Sequence, residues 1–330
     1  MTQVIRWGIL GTGKIATAFA NALKDTPDAK LVAVASRTVD SANKFGAEFG
    51  VERCHGSYQA LADDDQVDVI YIATPHPMHH ENALMCLNGG KAILVEKSFT
   101  MNRREAEDII NLARAQKLFV MEAMWTRFMP AVIEAKRIVD SGEIGLPGHI
   151  SADFGFTSDA GPEHRLFAPE LGGGALLDLG IYPLSIASYF LGDVDGVTAQ
   201  AQMGPTGVDM QTSFTLKHAG GGLSSCGCSL RVRTPTELTI SGSKGYVRLS
   251  DRFHNTEKIV ITLKDSTMHD ERTLTIPRIG NGYTHEAREV GRCLREGLIE
   301  SPVMTHAQTL NIMGVMDDIR RQIGLRYPSD

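Results

Sequence analysis

The sequence has 330 residues, with 33 Lys and Arg against 39 Asp and Glu and a formal net charge of −6. That length predicts two domains, each with a core of its own, and the 22% of charged residues is too low for a disordered chain. The negative charge argues against a nucleic-acid partner, and no apolar run reaches the ~18 residues of a membrane-spanning helix. The five cysteines are odd in number and scattered, which disfavours a disulfide framework and predicts a cytoplasmic protein.

The first 125 residues alternate strand-like and helix-like segments. Apolar runs of strand length lie at residues 4–10, 31–36, 67–74, 91–96 and 119–124. Helical spacing lies between them, at residues 39–50, at 79–88 before a Gly-Gly stop, and at 102–115 behind an Asn102 cap. Strands without polar alternation, separated by helices, indicate a parallel sheet covered on both faces.

The pattern changes after about residue 125. Helices are predicted at residues 130–141, 174–191, 284–296 and 307–323. Short alternating segments between 194 and 276, such as 213–217, 237–241 and 258–263, indicate an antiparallel sheet. The chain is therefore predicted to have an α/β domain over residues 1–124 and an α+β domain over residues 125–330.

A glycine-rich turn follows the first predicted strand. Gly11-Thr-Gly13-Lys-Ile-Ala16 matches G-x-G-x-x-A and opens the first helix. In that context the first glycine makes the tight turn, the second admits a pyrophosphate, and the helix N-terminus offers N–H groups to the anion. The alternative is a plain turn between strand and helix. We predict that a dinucleotide binds at Gly11, Thr12, Gly13, Lys14 and Ile15.

The end of the second strand indicates which dinucleotide binds. An acidic residue there would accept hydrogen bonds from the ribose hydroxyls of NAD, but the sequence has Ser36, Arg37 and Thr38. A guanidinium pairs with a 2′-phosphate, and the hydroxyls of Ser and Thr donate to its oxygens. This favours NADP(H), although Arg37 could instead stack on adenine with no preference between the cofactors.

Two later loops carry polar residues where strands end. Thr74, Pro75 and His76 follow one strand, with His79 opening the next helix, and Glu96 and Lys97 follow another. Loops at the carboxyl ends of parallel strands line the ligand crevice, so these residues are predicted to contact the cofactor, with Lys97 facing the nicotinamide. The histidines lack Cys or acidic partners at matching spacing, and no metal site is predicted.

Four motifs together resemble the Gfo/Idh/MocA oxidoreductases. They are the glycine turn, the Thr-Pro-His-Pro run at 74, Glu-Lys-Ser-Phe-Thr at 96, and Gly-Gly-Gly-Ala-Leu-Leu-Asp-Leu-Gly-Ile-Tyr-Pro at 172. Residues 122–130 are most similar to the dimeric dihydrodiol dehydrogenase branch, near glucose–fructose oxidoreductase. The resemblance implies a Rossmann domain, then an open, mainly antiparallel sheet through which a homodimer forms.

The resemblance also implies roles for individual residues. The family's Glu-Lys-Pro lysine corresponds to Lys97, with Ser98 in place of proline; Tyr182 stands where many members have His, and Asp178 lies four residues earlier. Trp125 and Arg127 are implied to shape the pocket or contact the nicotinamide, or else to pack between domains. A phenol has a pKa of about 10, which a nearby ammonium lowers. Either Tyr182 or Lys97 could therefore be the proton donor.

The sequence thus predicts an NADP(H)-dependent oxidoreductase. Its substrate is expected to be a small sugar, polyol or vicinal diol, or the matching carbonyl compound. One alternative is a dinucleotide- or sugar-sensing regulator on the same scaffold, which the presence of Lys97, Asp178 and Tyr182 disfavours. The other is an NAD-linked, inositol-type dehydrogenase, which Arg37 disfavours.

Overall fold

The first part of the chain forms a six-stranded sheet in a computed structural model, which describes residues 3–264, 269–328 and 330. Its strands are β1 (Ile5–Leu10), β2 (Ala29–Ala35), β3 (Arg53–His55), β4 (Val69–Ile72), β5 (Ala92–Glu96) and β6 (Val120–Ala123). The helices between them are α1 (Lys14–Lys24), α2 (Val39–Phe49), α3 (Tyr58–Ala62), α4 (His79–Asn88) and α5 (Arg103–Gln116). All pairings are parallel in the order β3-β2-β1-β4-β5-β6, a Rossmann sheet whose order reverses between β1 and β4.

The rest of the chain contributes an eight-stranded sheet. The helices are α6 (Pro130–Asp140), α7 (Ile181–Leu191), α8 (Tyr283–Arg295) and α9 (His306–Ile323). The strands are β7 (Pro147–Gly155), β8 (Val194–Met203), β9 (Asp209–His218), β10 (Leu223–Ser229), β11 (Leu238–Gly242), β12 (Gly245–Leu249), β13 (Lys258–Lys264) and β14 (His269–Thr275). Their order is β14-β13-β12-β11-β7-β10-β9-β8, and only the β7–β10 pair is parallel among these described strands. The predicted α/β then α+β architecture is confirmed.

The helix predicted over residues 174–191 differs from the structure in its first turn. Leu176–Gly180 is a π turn, and α7 begins only at Ile181. Gly174, just before the turn, has φ +116°, which an L side chain rarely adopts. Asp178 therefore lies in a widened turn with i→i+5 hydrogen bonding, and Tyr182 lies in the α-helix that follows, so the two residues do not share one regular α-helix.

The apolar content around α7 was also underestimated from the sequence. Pro169–Leu191 spans 23 residues and is apolar and long enough to cross a membrane by length and composition. However, 89% of its most apolar window is buried inside the protein. This is the burial expected of a core helix, which explains why a long apolar segment occurs here.

The chain divides into two compact units that differ from the predicted domains. One unit contains Met1–Trp125 and Ile279–Thr309, and the other contains Thr126–Arg278 and Leu310–Asp330. The predicted second domain was continuous from 125 to 330, but the segment with α8 packs in the first unit. Asn281 Nδ2 donates to the carbonyl oxygen of Ala18 at 2.7 Å, and Thr284 Oγ1 donates to that of Ala22 at 3.4 Å. These contacts attach α8 to α1.

Candidate functional site

The glycine turn after β1 has the geometry of an anion cradle. Gly11 has φ +107°, and a Cβ there would lie 2.9 Å from the carbonyl oxygen of Ala73, so glycine is required. A Cβ at Gly13 would meet open space, and this residue precedes α1 without any described side chain capping the helix or any acid in its first turn. The N–H groups of Lys14 and Ile15 therefore begin a helix whose positive end can accept a pyrophosphate. These residues fit a dinucleotide.

The end of β2 places three predicted cofactor residues beside this turn. Ser36 is buried, and its Oγ lies 3.2 Å from Oγ1 of Thr12. Arg37 is exposed and lies near Tyr58. Burial raises the pKa of Tyr58 above its usual value, and the Arg37 charge opposes that shift. Thr38 instead caps α2, because its Oγ1 accepts from the N–H of Ser41 at 3.3 Å. Of these three residues, Arg37 is the charged one, and its exposed guanidinium is accessible to a ligand.

The loops after β4 and β5 are joined by histidines. Nε2 of His76 lies 3.1 Å from the carbonyl oxygen of half-buried Lys97. Thr74, the first residue of the β4 loop, accepts from Asn82 Nδ2 through its hydroxyl at 3.1 Å, and Pro75 follows it. The contact with His76 holds Lys97 at the carboxyl edge of the sheet, where the sequence predicted it. Among the described residues, no three His, Cys, Asp or Glu side chains form a group that could hold a metal.

His79 has a different role from the predicted cofactor contact. It is fully buried, with Nδ1 3.0 Å from the carbonyl oxygen of Ser98 and Nε2 2.8 Å from that of Thr74. Both ring nitrogens therefore face the backbone of the two loops, which leaves neither for a dinucleotide. Ser98, which stands in place of the family's proline, is fully buried, and its carbonyl oxygen contacts His79.

Three acidic or phenolic groups lie buried behind Lys97 in the same unit. The Tyr71 hydroxyl donates to Oε1 of Glu96, and Oε2 of Glu96 accepts from the N–H of Lys97 at 3.2 Å. The Glu96 carboxylate thus contacts both the Tyr71 hydroxyl and the backbone of the lysine. Glu286 of α8 is fully buried, and neither of its oxygens has a hydrogen-bond partner among the described residues. Burial, reinforced by the Glu96 charge, raises the pKa of Glu286 well above its usual value.

Tyr182 lies in an aromatic cluster of the second unit. Its ring centroid is 5.2 Å from that of Phe154 and 5.7 Å from that of His254. His254 stacks on Phe154 at 4.5 Å with an interplanar angle of 9°. Tyr182 itself is 6% exposed, so its ring is largely buried beside these two side chains. We refer to Phe154, Tyr182 and His254 as the aromatic cluster.

Asp178 pairs with an arginine from the preceding loop. Its Oδ1 lies 3.2 Å from Nη1 of Arg165, whose side chain is 58% exposed, whereas the Asp178 side chain is 8% exposed. A largely buried carboxylate is therefore oriented by a surface cation. The pairing adds Arg165 to the surroundings of Asp178.

Two predicted cofactor residues make packing contacts in the structure. Trp125 stacks on Tyr283 of α8, with ring centroids 4.5 Å apart. Arg127 is fully buried, with Nε donating to the Ser185 hydroxyl at 2.9 Å and Nη2 to the Ser185 carbonyl at 2.8 Å. The Arg127 guanidinium therefore holds α7 in place. It does not contact a dinucleotide, because it has no exposed surface.

Several residues of these clusters were missed from the sequence. Tyr71 and Glu286 are polar residues at buried positions of an otherwise apolar strand and helix face, and that mismatch was the available signal. His254 lies in a turn with no motif, and only its tertiary contacts single it out.

The sequence matches two family models along most of its length. Residues 5–124 match the oxidoreductase family with an NAD-binding Rossmann fold, and residues 132–248 match the GFO/IDH/MocA C-terminal domain. The chain belongs to the Gfo/Idh/MocA family. It is therefore an oxidoreductase of a family that binds a nicotinamide dinucleotide, as the resemblance implied.

Full-length relatives have activities on diols and sugars. The chain is 36% identical to a trans-1,2-dihydrobenzene-1,2-diol dehydrogenase of Danio rerio, over 99% of both chains, and 34% identical to that of Xenopus tropicalis, over 98% of this chain and 99% of the relative. A solved 3-ketoreductase from Actinomadura kijaniata, in complex with NADP and TDP-benzene, is 26% identical with a TM-score of 0.86, covering 97% of this chain and 98% of that one. A levoglucosan dehydrogenase in complex with NADH has a TM-score of 0.89 at 21% identity, over 98% of this chain and 97% of that one, and shows the shared fold.

Proposed function

We propose that the chain is an NADP(H)-dependent dehydrogenase or reductase that acts on the CH–OH group of a small sugar, polyol or vicinal diol, or on the matching carbonyl compound. The observation that carries this proposal is the arrangement of three loops in the first unit. Gly11, Thr74 and Lys97 follow β1, β4 and β5, which are neighbours in the sheet. Ligands of such sheets bind outside the carboxyl ends of the strands, where the strand order reverses.

The preference for NADP(H) rests on Arg37. Its side chain is exposed at the end of β2, where an acidic residue would select the ribose hydroxyls of NAD. A guanidinium forms paired hydrogen bonds with phosphate oxygens, so a 2′-phosphate at this position would gain charge-assisted contacts. The acid that follows, Asp40, lies inside α2 and serves its first turn.

The substrate class rests on the aromatic cluster and on the relatives. Phe154 and His254 form a stacked, half-buried surface next to Tyr182, which suits a cyclic or ring-bearing substrate. The relatives named as dihydrodiol dehydrogenases act on such a ring. A hydroxyl or carbonyl group of the substrate would then meet the phenol.

We assign the proton transfer to Tyr182 and Lys97. When bound, the nicotinamide accepts or delivers the hydride. In oxidation the Tyr182 oxygen takes the proton that the substrate hydroxyl loses, and in reduction it returns a proton to the carbonyl oxygen. The role proposed for Lys97 is to favour the phenolate form of Tyr182 by its positive charge. The role proposed for Asp178 is to offset the positive charge of Arg165, with which it is paired.

We also propose a homodimer formed through the eight-stranded sheet. Along β9 and β10 exposed residues alternate with buried ones, so the sheet has one core face and one outward face. The outward positions include Ser213, Thr215 and Ser225. Sedimentation velocity of the purified chain tests this, and a monomer at micromolar concentration would contradict it.

The experiment that tests the proposed function is a turnover screen. Purified protein is offered sugars, vicinal diols and dicarbonyl compounds with each oxidised or reduced cofactor, and nicotinamide absorbance is followed. We expect turnover with NADP(H) that exceeds turnover with NAD(H). Binding of the dinucleotide without turnover on any member of the panel would favour a sensing regulator instead.

A further inference from the structure

The π turn that carries Asp178 is held from a distant strand. Asp209, the first residue of β9, is fully buried. Its Oδ2 accepts from the N–H of Leu176 at 2.8 Å and from the Thr212 hydroxyl at 2.6 Å. Since Leu176 is the first residue of the π turn, a carboxylate 33 residues away caps the N-terminus of this segment.

The glycine run before the turn is shaped around the same carboxylate. A Cβ at Gly174 would lie 2.3 Å from Oδ1 of Asp209. The Tyr327 hydroxyl donates to the carbonyl oxygen of Gly173 at 2.6 Å, so the C-terminal segment holds the run from the other side. Oδ1 of Asp209 has no hydrogen-bond partner among the described residues. The contact to Leu176 therefore depends on one oxygen, while the other is enclosed by backbone.

We propose that Asp209 is a positioning residue for the reaction, because its carboxylate fixes the start of the segment that carries Asp178 and Tyr182. The inference rests on the proposed function of Tyr182. Asp178 lies two residues beyond the capped N–H and Tyr182 six residues beyond it, on a continuous helical segment. A shift of the first turn would therefore move both side chains together. The charge also faces the positive end of the helix, where an anion is stabilised.

The charge state of Asp209 gives this role a measurable signature. Burial raises its pKa to about 6, although hydrogen bonds from Thr212 and from the backbone N–H of Leu176 oppose that shift. The titratable groups on which its charge acts are Cys228 of β10 and Tyr327. Burial raises the pKa of both well above their usual values, so both stay neutral between pH 5 and pH 8. In that window the segment responds to Asp209 itself.

Hydrogen exchange tests the capping contact without any substrate. Peptides that cover residues 172–180 are followed in the apo wild-type protein at pH 5 and pH 7.5, with rates corrected for intrinsic exchange. Because a hydrogen bond to a charged acceptor is roughly twice as strong as a neutral one, we expect protection to be roughly fivefold to tenfold higher at pH 7.5. Equal protection at the two pH values would overturn the proposal whatever the activity of the protein.

The kinetic test compares Asp209→Asn with Asp193→Asn, the same substitution at an exposed aspartate just before β8. We expect Asp209→Asn to lower kcat about tenfold, to leave KM for NADPH unchanged, and to remove a limb near pH 6 from the pH profile of kcat. The Asp193 variant should match the wild type. A wild-type pH profile and kcat in Asp209→Asn would overturn the positioning role. No turnover by the wild-type protein itself would contradict the proposed function, and with it any role of Asp209 in a reaction.

Discussion

Nε2 of His76 lies 3.1 Å from the carbonyl oxygen of Lys97, although 21 residues separate the two in the chain. The contact fixes the backbone of the lysine to the loop that follows β4. We expect His76→Leu to lower kcat severalfold, up to about tenfold, because losing one net hydrogen bond of about 1 kcal/mol leaves the lysine less well placed. Steady-state kinetics with saturating NADPH measure this.

The control for this variant is His80→Leu. His80 lies in the same part of the chain, but Nε2 of its ring lies 3.2 Å from Oδ2 of Asp108 on α5, on a different partner from that of His76. Its replacement should leave kcat within about twofold of the wild type. Equal losses in the two variants would mean that the contact with Lys97 is not what turnover depends on.

Tyr182→Phe removes only a hydroxyl from the aromatic cluster. The ring keeps its packing against Phe154, so we expect the affinity for NADPH and the melting temperature to stay close to wild type. Turnover should fall about 100-fold or more, because positioned general acid–base groups contribute at least that much. Single-turnover kinetics on an active substrate measure the chemical step directly.

Tyr189→Phe is the matched control on the same helix. Tyr189 lies on α7 seven residues later, with its ring under the Arg127 guanidinium at 5.3 Å. The loss of its hydroxyl should change kcat less than threefold, since it takes no part in the proposed reaction. A loss below tenfold in Tyr182→Phe would assign the proton to Lys97 instead, and Lys97→Met would then carry the larger effect.

Local sequence signals were sufficient to predict most of the first unit. The apolar run of β5 and the spacing of α4 depend on neighbouring residues, and the predicted bounds of α4 are confirmed at His79–Asn88. The Asn102 cap is likewise local, and its Oδ1 accepts from the N–H of Glu105 at 3.0 Å. Such features require no knowledge of distant packing.

The features that sequence analysis missed depend on long-range contacts. At the π turn, Asp209 accepts a hydrogen bond from the N–H of Leu176, and Gly174 adopts a positive φ. Neither feature can be predicted from residues 174–191 alone, because Asp209 lies outside that segment. His79 was predicted to contact the cofactor because it opens the helix that follows the loop after β4. Its burial between the Thr74 and Ser98 carbonyls became visible only in the folded chain.

Arg37→Ala tests the choice of cofactor. If the guanidinium contacts the 2′-phosphate, its loss should weaken NADPH binding by about tenfold or more and change NADH binding by less than about twofold. Isothermal titration calorimetry with each reduced cofactor measures both effects. Lys44→Ala removes an exposed positive charge from α2 and should leave both affinities unchanged. Equal weakening of NADPH and NADH by Arg37→Ala would indicate stacking on adenine.

Glu286→Gln should make the protein more stable than the wild type, and this difference in the free energy of unfolding should grow as pH rises. The pKa of Glu286 in the folded state is raised above its usual 4.5 by burial and by Glu96, so the folded protein keeps a proton that the unfolded chain loses. The stabilisation from that proton is complete below pH 4.5 and is lost as pH rises toward the folded pKa, at about 1.4 kcal/mol per pH unit at most. The neutral amide in the variant removes this loss.

The measurement is urea unfolding of wild type and Glu286→Gln between pH 4 and pH 8. The two free energies of unfolding should be similar near pH 4 and diverge above pH 4.5 in favour of the variant. Glu48→Gln, at an exposed position of α2, should follow the wild type throughout. A difference between wild type and Glu286→Gln that is constant with pH would show that Glu286 is ionised in the folded protein.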